Sequence, residues 1–338
     1  MSIEVRDGGL FSTVQDMGRK GYQRFGVPVS GAMDTYSAAV ANRLVGNDVQ
    51  SAVLECTFTG PVLRFTEPAL IAFTGCEAPL TLDGIPVASW ESHLVKAGSV
   101  LAVGSAAMGC RGYLAVAGGI DTPVVMGSRS TFVRGALGGL NGRALKAGDV
   151  LPVGQAKTVA EPGRFATFAQ RVTLPRETTS VRVMFGPEED MFTAEARDIF
   201  ISADYKVTTE SDRMGYRMQG PTLSHKIKAD ILSGGIAPGS VQVPGHGQPI
   251  IMLADRQSIG GYAKIATVIG ADLPLLCQMR PGQSVRFVPV SREEAVTALR
   301  QLESLRDSKL HGPSPRRQFS VRLGSQLIKV DLQEFLGE

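Results

Sequence analysis

Three segments of this chain share one local pattern, which constrains the fold more than any other feature of the sequence. Each segment has a basic residue, one spacer, a glycine and then alternating apolar residues, and they span residues 96–103, 146–153 and 280–288. Glycine allows the tight turn, and a period of two is typical of a half-buried strand. The second and third segments each close a long stretch of chain. The pattern therefore predicts two β-barrel domains that end in the same kind of strand.

The composition agrees with a fold of short strands. The 338 residues include 39 glycines and 19 prolines but only 6% aromatic residues, which favours turns over long helices. We therefore predict a mainly β protein, with two β-barrel domains and a few short helices. The predicted domains span residues 1–165 and 166–290. Residues 291–338 are predicted to form a C-terminal extension of a helix and a hairpin, with the hairpin over 319–332 turning at residues 324–325.

Three short helices are predicted from their N-terminal residues. The first spans residues 34–45, with Asp34 as its N-cap. The second begins at Pro187, which is followed by an acidic first turn. The third begins after Ser291, because this serine and the glutamate three residues later form a capping box.

Charge and hydropathy exclude several classes of function. The net charge of +3 is too small to predict a nucleic-acid partner, and the basic residues near the C-terminus are typical of a solvated surface. No secretory signal is recognisable at the N-terminus, and no apolar run reaches the roughly 18 to 20 residues of a membrane span. We therefore expect a cytoplasmic protein with neither a membrane nor a nucleic-acid partner.

The sequence also lacks the patterns of several cofactor sites. The four cysteines and four histidines lie at spacings that fit no metal site, so we expect no bound metal and buried free thiols. There is no phosphate-binding P-loop and no G-x-S-x-G nucleophile motif. The C-terminal hairpin resembles part of a biotinyl domain in outline, but it lacks a Met-Lys-Met tripeptide. We therefore expect no covalently attached biotin.

Residues 255–264 have the greatest concentration of chemically useful groups in the chain. They follow an apolar strand, and they contain the candidate catalytic residues Asp255, Gln257, Tyr262 and Lys264. The lysine and the tyrosine can stabilise charge that develops on an oxygen, the aspartate can accept a proton, and the glutamine can bind an amide. Gly260 and Gly261 allow a ligand to approach the backbone closely, so both are candidate substrate-binding residues. Alternatively, the segment is a β-hairpin whose polar residues face water.

Three other clusters supply candidate substrate-binding residues, and each has a structural alternative. These candidates are Ser30, Asp34, Asn42, Arg129, Ser130, Asp212 and Arg213. Asp34 can simply cap its helix. Arg129 stands among hydroxyl residues, which suits a carboxylate or a phosphate, although the same hydroxyls can hold the loop together. Asp212 and Arg213 can pair with each other or across the junction of the two domains.

Motifs in the same order as in a known family extend over most of the chain. They are Thr13-Val-Gln-Asp16 with Gly18-Arg19, Gly26-Val-Pro-Val-Ser-Gly-Ala-Met-Asp34, Ala41-Asn-Arg-Leu-Val-Gly-Asn47, Leu54-Glu55, Gly118-Gly-Ile120, Gly127-Ser-Arg-Ser-Thr131, Ser211-Asp-Arg-Met-Gly215, Gln242-Val-Pro244 and Asp255-Arg-Gln-Ser-Ile-Gly-Gly-Tyr262 with Lys264. The chain resembles the carboxyltransferase subdomain A/B family, which includes the C component of 5-oxoprolinase, KipA, the second subunit of allophanate hydrolase and the matching half of urea carboxylase. It departs from the family pattern at Ser258, where threonine is more usual, and at Gly245-His246, which replaces a proline-containing turn.

The resemblance implies a fold, partners and an activity. The implied fold has two cyclophilin-like β-barrel domains. The implied partners are a KipI-like protein (the B component) and, in 5-oxoprolinase, a LamB/YcsF-like protein (the A component). Together these components open the lactam of 5-oxoproline to glutamate with ATP. In urea carboxylase, the equivalent domains instead pass a carboxyl group from biotin to urea.

We interpret the chain as the C component of an ATP-dependent 5-oxoprolinase, active on its small-molecule substrate only with its partner proteins. ATP is expected at the level of the complex, because the chain has no recognisable nucleotide loop. An alternative enzyme function is a component of a biotin-dependent urea carboxylase or allophanate hydrolase system. A non-catalytic alternative is a KipA-like regulator that sequesters a KipI-like kinase inhibitor.

Overall fold

The computed structural model describes residues 1–156, 158, 160–312, 316–323 and 326–333, with side chains described up to residue 312. Most of these residues lie in strands and turns, and the helices are few and short. The predicted mainly β fold is therefore confirmed.

The N-terminal half of the chain forms two antiparallel sheets that enclose one apolar core. Its strands are β1 (Ser2–Asp7), β2 (Phe11–Gln15), β3 (Val53–Thr57), β4 (Val62–Phe65), β5 (Ala69–Glu77), β6 (Leu80–Leu82), β7 (Ile85–Val87), β8 (Ser92–Val95), β9 (Val100–Val103), β10 (Met108–Val116) and β11 (Val150–Pro152). One sheet has the strand order β11-β1-β4-β9-β6-β7 and the other has the order β2-β3-β10-β5-β8. Side chains from both sheets, such as Ile3 and Leu54, share a buried cluster, as the alternation of apolar residues predicts.

The C-terminal half contains a closed barrel of seven strands. The strands of this half are β12 (Thr178–Phe185), β13 (Asp204–Val207), β14 (Gly215–Gln219), β15 (Asp230–Gly235), β16 (Ser240–Gln242), β17 (Ile250–Met252), β18 (Ile259–Tyr262), β19 (Lys264–Val268) and β20 (Ser284–Pro289). The order around the barrel is β12-β19-β16-β17-β14-β13-β20, and β15 pairs with β18 as a separate two-stranded ribbon. Parallel pairing of β20 with β12 closes the barrel. Met33 of the N-terminal half packs into the apolar cluster of this barrel half.

The repeated sequence pattern produces a strand in all three places where it occurs. The segments contain β9, β11 and β20, and a glycine with positive φ precedes each strand: Gly98 (+85°), Gly148 (+89°) and Gly282 (+94°). Such φ values favour glycine, which explains its fixed place in the pattern. The two halves differ in closure, because the N-terminal strands form two separate hydrogen-bonded sheets whose contact is made through side chains. The proposed domain boundaries stay predictions.

The four α-helices of the described residues begin at side-chain caps or at a proline. They are α1 (Thr35–Leu44), α2 (Ala194–Ser202), α3 (Leu273–Cys277) and α4 (Arg292–Asp307). Helix α1 confirms the first prediction, since Asp34 accepts a hydrogen bond from the N–H of Ser37 (2.9 Å). Helix α4 confirms the third, because both hydrogen bonds of the Ser291–Glu294 capping box are present.

The prediction of a helix that begins at Pro187 is wrong. Residues 189–191 form a single 3-10 turn, and α2 begins later in the chain. Its N-cap is Thr193, whose side chain accepts a hydrogen bond from the N–H of Ala196 (3.1 Å). A side chain that satisfies a helix N–H is a stronger start than proline and acidic residues alone.

The last described residues form an antiparallel hairpin. Strand β21 (Arg316–Leu323) pairs with β22 (Gln326–Gln333), as predicted, and the predicted turn at residues 324–325 lies outside the described residues. Helix α4 buries Ala295 and Ala298 against Ile269 of the barrel half.

Two further sequence-based expectations concern the cysteines and membrane segments. Cys56, Cys76, Cys110 and Cys277 are all buried free thiols, which confirms the prediction. Among the residues with described placement, no helix has the length and apolar character needed to cross a membrane.

Candidate functional site

Two buried carboxylates and one guanidinium join the two halves of the molecule. Arg213, just before β14, donates from Nε to Oδ2 of Asp255 (2.9 Å) and from Nη2 to Oδ1 (3.1 Å). Its Nη1 donates to Glu55 in β3, and its Nη2 also donates to the carbonyl oxygen of Gly31 (2.6 Å). The side chains of Arg213, Asp255 and Glu55 are 8%, 9% and 1% exposed. Arg213 thus binds a carboxylate from each half, as a planar guanidinium with several donors can.

The loop of residues 30–34 supplies backbone groups to the same junction. The N–H of Met33 donates to Oε2 of Glu55 (2.7 Å). The hydroxyl of Tyr113 donates to the same carboxylate oxygen (2.9 Å) and accepts a hydrogen bond from the N–H of Asp34 (2.8 Å). Glu55 therefore has partners on both oxygens, which a buried carboxylate requires.

Asp34 forms a second buried junction between the halves. Its Oδ2 accepts hydrogen bonds from Oγ of Ser37 (2.6 Å) and from Nε2 of Gln278 (3.0 Å), which follows α3. Oε1 of Gln278 accepts a hydrogen bond from the N–H of Arg111 in β10 (3.0 Å). The guanidinium of Arg111 donates in turn to the hydroxyl of Tyr216 in the barrel. Asp34 thus has both the capping role and a contact beyond its helix.

Burial sets the protonation behaviour of these junctions. It raises the pKa of Asp34 to about 6, even though the hydrogen bonds to the carboxylate lower it, and the charge of Glu55 adds to the rise. For Arg213, burial alone lowers the pKa, but the carboxylates of Asp255 and Glu55 outweigh burial and raise the pKa above its ordinary value. Arg213 therefore stays charged, whereas Asp34 can take up a proton in weakly acidic solution.

Two adjoining clefts open beside the first junction. The apolar cleft has a volume of about 340 Å³, and it is lined mainly by apolar residues with Arg111, Arg213 and Asp255 among them. The polar cleft has a volume of about 420 Å³, and its lining includes Gln242, His246, Gln257 and Tyr262. Arg134 and Asp212 line both clefts. Their ion pair (2.9 Å) joins the two halves at the boundary between the clefts.

The structure divides the four predicted catalytic residues among different places. Asp255 lines the apolar cleft, and Gln257 and Tyr262 line the polar cleft. Lys264 lines neither of these clefts: its side chain is 4% exposed, and its Nζ lies 3.1 Å from Oε2 of Glu188. These side chains therefore do not converge on one point, and their catalytic roles stay predictions.

The Gly260–Gly261 pair packs against the protein itself. A Cβ atom on Gly260 would lie 2.7 Å from Cδ1 of Ile236 and 2.8 Å from Nε2 of Gln242. A Cβ atom on Gly261 would lie 3.4 Å from Oγ of Ser233. A side chain at Gly260 would thus displace the ends of the Ile236 and Gln242 side chains, and contact of either glycine with a substrate stays a prediction.

The hydroxyl-rich loop around Arg129 binds a carboxylate, and that carboxylate belongs to Asp16. Oγ of Ser128 (2.7 Å) and Oγ of Ser130 (2.5 Å) donate to its Oδ1, and the N–H of Arg129 donates to its Oδ2 (2.6 Å). The guanidinium of Arg129 pairs with Asp121. Neither Arg129 nor Ser130 lines one of the two clefts. The structure therefore favours the alternative in which these groups hold the loop together.

The side chains of Asn42 and Ser30 differ in whether other protein groups already satisfy their hydrogen bonds. The amide of Asn42 donates to the carbonyl oxygen of Ser51 (2.8 Å) and accepts a hydrogen bond from Asn47 (3.0 Å). The N–H of Ser30 donates to the carbonyl oxygen of Ala254 (3.1 Å), but its buried Oγ has no hydrogen-bond partner among the described residues. Of the two side chains, that of Ser30 is the one whose hydroxyl can still form a hydrogen bond with another partner.

Sequence reasoning missed several members of the buried junctions. Glu55 was noted only as part of a family motif, and Arg111, Tyr216 and Gln278 were given no role from the sequence. A usable pattern exists for two of them, because Glu55 and Arg111 interrupt the apolar strands β3 and β10. A charge within an apolar strand predicts a buried ion with a partner. No local pattern identifies Gln278.

The described residues offer no alternative centre built on a metal ion. Among them, no group of three or more histidine, cysteine, aspartate or glutamate side chains is placed to hold one. His246 lines the polar cleft, and its Nδ1 accepts a hydrogen bond from the N–H of Gln248 (3.2 Å).

The model of one protein family, the carboxyltransferase domain with subdomains A and B, matches residues 25–289. The chain belongs to this family. The matched residues of the carboxyltransferase domain include both buried junctions and the linings of the polar cleft. The resemblance stated from the sequence motifs is therefore confirmed.

Named relatives and a solved structure place this carboxyltransferase-family chain beside two kinds of protein. The C component of the 5-oxoprolinase of Escherichia coli (strain K12) is 41% identical over 298 residues, which cover 88% of this chain and 94% of the relative. The urea amidolyase of Lachancea kluyveri is 38% identical over 331 residues, which cover 91% of this chain and 18% of the relative. The crystal structure of the K. lactis urea amidolyase has a TM-score of 0.86 and 35% identity, covering 90% of this chain and 20% of that one.

Proposed function

We propose that this chain is the C component of an ATP-dependent 5-oxoprolinase complex. One observation carries the proposal: the 41% identity to the C component of the Escherichia coli 5-oxoprolinase extends over 94% of that protein. The relative is itself named as one subunit, so this chain is expected to act with others. From the family resemblance, we propose a KipI-like protein and a LamB/YcsF-like protein as its partners, in the cytoplasm.

The proposed reaction opens a lactam by hydrolysis. Water adds to the carbonyl carbon of 5-oxoproline, the ring C–N bond breaks, and the nitrogen takes up a proton, so that glutamate forms while ATP is hydrolysed to ADP and phosphate. Negative charge develops on the carbonyl oxygen, and hydrogen-bond donors held in place stabilise it. Tyr262 and Gln257 in the polar cleft supply such donors, and the amide of Gln257 also matches the N–H of the lactam.

Asp255 acts as a positioning residue in this proposal. Its carboxylate is engaged by Arg213 at both oxygens, and its N–H donates to the carbonyl oxygen of Arg213 (2.8 Å). These contacts fix the turn that leads from the apolar cleft at Asp255 to the polar cleft at Gln257. Loss of the carboxylate would therefore displace the donors of the polar cleft.

The contacts of the two buried arginines of the apolar cleft favour an ATP site on a partner protein. The guanidinium of Arg213 is already bound by two carboxylates and a carbonyl oxygen, and that of Arg111 is bound by Tyr216 and by the carbonyl oxygen of Cys277. A triphosphate needs several uncommitted donors or a P-loop, and the sequence has no P-loop motif. We propose that one of its partners binds ATP.

Reconstitution with purified partners tests the function. This chain, mixed with the KipI-like and LamB/YcsF-like proteins, is expected to hydrolyse ATP only when 5-oxoproline is present and to release one glutamate for each lactam opened. Omission of each protein in turn should abolish the coupling. Activity on urea or allophanate, with none on 5-oxoproline, would contradict the proposal.

Substitution of Tyr262 tests the site within that assay. Tyr262→Phe is expected to lower turnover of the assembled complex by about 10- to 1,000-fold, because one donor to the developing oxyanion is lost. Tyr22→Phe removes a hydroxyl from a tyrosine outside both clefts and serves as the matched control. Equal turnover of the two variants would remove Tyr262 from the site.

A second candidate function is a component of a biotin-dependent carboxyltransferase system. The observation that favours it is the TM-score of 0.86 to the K. lactis urea amidolyase over 90% of this chain. We propose that the biotin would then be carried by a partner protein. Bicarbonate- and urea-dependent consumption of ATP, measured with a biotin carboxylase and a biotinylated carrier protein present, would favour this function over lactam hydrolysis.

A further inference from the structure

The polar cleft contains two guanidinium groups that the proposed reaction does not use. Its lining includes Arg134 and Arg217 as well as the amides of Gln242 and Gln257. The reaction gives roles to Gln257 and Tyr262, which act on the lactam, and gives none to the arginines. A guanidinium in a ligand cleft is suited to a carboxylate or a phosphate on the ligand. The position of each arginine relative to the amides therefore bears on which ligand the cleft selects.

The strand register fixes the order of three groups across the floor of the cleft. Arg217 in β14 pairs with Ile250 in β17, and Ile250 pairs in turn with Gln242 in β16. Directly paired residues of antiparallel strands have their side chains on the same face of the sheet. The opposite face is the barrel core, because the neighbours Tyr216 and Val241 belong to its apolar cluster. Arg217, Ile250 and Gln242 thus form one row on the outside of the barrel, and all three line the polar cleft.

The two amides of the cleft lie beside Gly260, at the other end of this row from Arg217. A Cβ atom on this glycine would lie 2.8 Å from Nε2 of Gln242 and 3.5 Å from Nε2 of Gln257. Nε2 of Gln242 also donates to the carbonyl oxygen of Tyr262 (3.4 Å). The end of the row formed by these two amides, the amide end, therefore adjoins the donors proposed for the lactam carbonyl.

Of the two arginines, Arg217 is the less firmly paired with a protein carboxylate. Nη2 of Arg134 donates to Oδ2 of Asp212 at 2.9 Å. Nε of Arg217 lies 3.7 Å from Oε2 of Glu210, which is longer than a hydrogen bond. Glu210 is 78% exposed, so water can hydrate its carboxylate when Arg217 takes another partner. Arg217 is therefore the cation of the cleft that a ligand can engage at the smaller cost.

We propose that Arg217 binds the carboxylate of 5-oxoproline while the amide end of the cleft binds its lactam. The backbones of Arg217 and Gln242 lie two strand spacings, or about 10 Å, apart, which a small cyclic molecule held between two long side chains can span. The ring methylene groups then lie over Ile250. A guanidinium can bind a carboxylate through two parallel hydrogen bonds, which fix its orientation. This inference rests on the proposed function for the identity of the substrate, and it makes Arg217 the residue that selects a lactam bearing a carboxylate.

Kinetics of the reconstituted complex with two substrates test this role. The second substrate is the carboxamide of 5-oxoproline, which keeps the lactam and replaces the carboxylate with a neutral amide. Arg217→Met is expected to lower kcat/KM for 5-oxoproline by about 10- to 100-fold, mostly through KM, because a hydrogen-bonded charge pair with the substrate is lost. The kcat/KM for the carboxamide should change less than about threefold. Where the carboxamide is bound but not opened, its inhibition constant replaces kcat/KM in this comparison.

Three further variants separate the charge of Arg217 from its shape and its surroundings. Arg286→Met is the matched control, since Arg286 is 51% exposed against 52% for Arg217 and lines neither cleft. It should leave kcat/KM for both substrates unchanged. Arg217→Lys keeps the charge without the planar pair of donors and should restore part of the lost affinity. Glu210→Gln removes a competing carboxylate and should lower KM for 5-oxoproline by up to about fivefold.

The possible outcomes distinguish this inference from the proposed function. Equal losses on both substrates in Arg217→Met, or no loss on either, would overturn the role of Arg217 and leave the proposed function standing. A wild-type complex that opens the carboxamide as efficiently as 5-oxoproline would also overturn the inference, because no residue would then select the carboxylate. A wild-type complex that does not open 5-oxoproline would overturn both.

Discussion

Asp212 and Arg213 are neighbours in the chain, yet they form ion pairs in opposite surroundings. The Arg213–Glu55 pair has side chains that are 8% and 1% exposed, whereas the Asp212–Arg134 pair has side chains that are 47% and 64% exposed. Both pairs connect the barrel to the N-terminal half. A buried charge cannot lose its partner without a large penalty, while an exposed one is readily hydrated. The first pair therefore fixes the halves together, and the second leaves the boundary between the clefts free to open.

Loss of the Arg213 guanidinium is expected to have the largest effect. Arg213→Met should destabilise the protein by about 3–5 kcal/mol, because it leaves Glu55 and Asp255 buried without a cation. Denaturant unfolding measures the change. The matched control is Arg217→Met, which alters an arginine that is 52% exposed and should cost less than about 1 kcal/mol. Similar costs for the two variants would show that burial does not distinguish them.

The second buried junction should respond to pH. Burial raises the pKa of Asp34 to about 6, above its value in the unfolded chain, so the folded state binds the proton more tightly. Protonated Asp34 therefore contributes to the free energy of unfolding. This contribution is fully present below about pH 4 and is lost as the pH rises to about 6. The loss is on the order of 3 kcal/mol, since each pKa unit corresponds to about 1.4 kcal/mol.

Asp34→Asn isolates this contribution. The variant should lack the loss between about pH 4 and pH 6, so its stability relative to the wild type should rise over that range. Asp198→Asn, at an exposed position in α2, is the matched control and should follow the wild-type pH profile. Parallel profiles for wild type and Asp34→Asn would contradict the raised pKa.

The ion pair between Lys264 and Glu188 is intermediate in burial between the two pairs above. Lys264 is 4% exposed and its partner Glu188 is 24% exposed, and Oε2 of Glu188 also accepts a hydrogen bond from the N–H of Lys264 (3.0 Å). Lys264→Met should therefore cost about 1–2 kcal/mol, between the buried and exposed pairs. Glu188→Gln is the control in the reconstituted complex. Turnover lost in Lys264→Met but retained in Glu188→Gln, with both folded, is the result that a catalytic role of Lys264 requires.

The exposed pair should contribute least to stability. Arg134→Ala is expected to change the free energy of unfolding by about 0–1 kcal/mol, and the change should shrink as salt is added. Thermal unfolding at two ionic strengths measures both effects. A cost above about 2 kcal/mol would mean that this contact joins the halves as firmly as the buried pair does.

More of the fold than of the ion pairing could be predicted from the sequence. Alternating apolar residues after a turn glycine are local, and they identified β9, β11 and β20 directly. The junctions instead depend on groups far apart in the chain, such as Glu55 and Arg213, which are separated by 158 positions. The motif around Asp212 and Arg213 left open whether the two pair with each other or across the halves, and which of the two charges is buried depends on the packing of the barrel against β3. In the same way, the loop around Arg129 indicated a carboxylate or a phosphate as ligand, or a loop held by its hydroxyls, without revealing that the hydroxyls bind Asp16.

The position of Glu55 has a consequence for how this protein can be divided or recombined. A fragment that ends before β12 would retain the hydrogen bonds of Glu55 to Met33 and Tyr113 but would have lost its cation. A fragment that begins at β12 would retain Arg213 and Asp255 but would expose the surface that received Met33. Neither half is therefore a self-sufficient module, although each has its own core. A chimera that takes one half from a relative will fold cooperatively only if the glutamate and the arginine are inherited together.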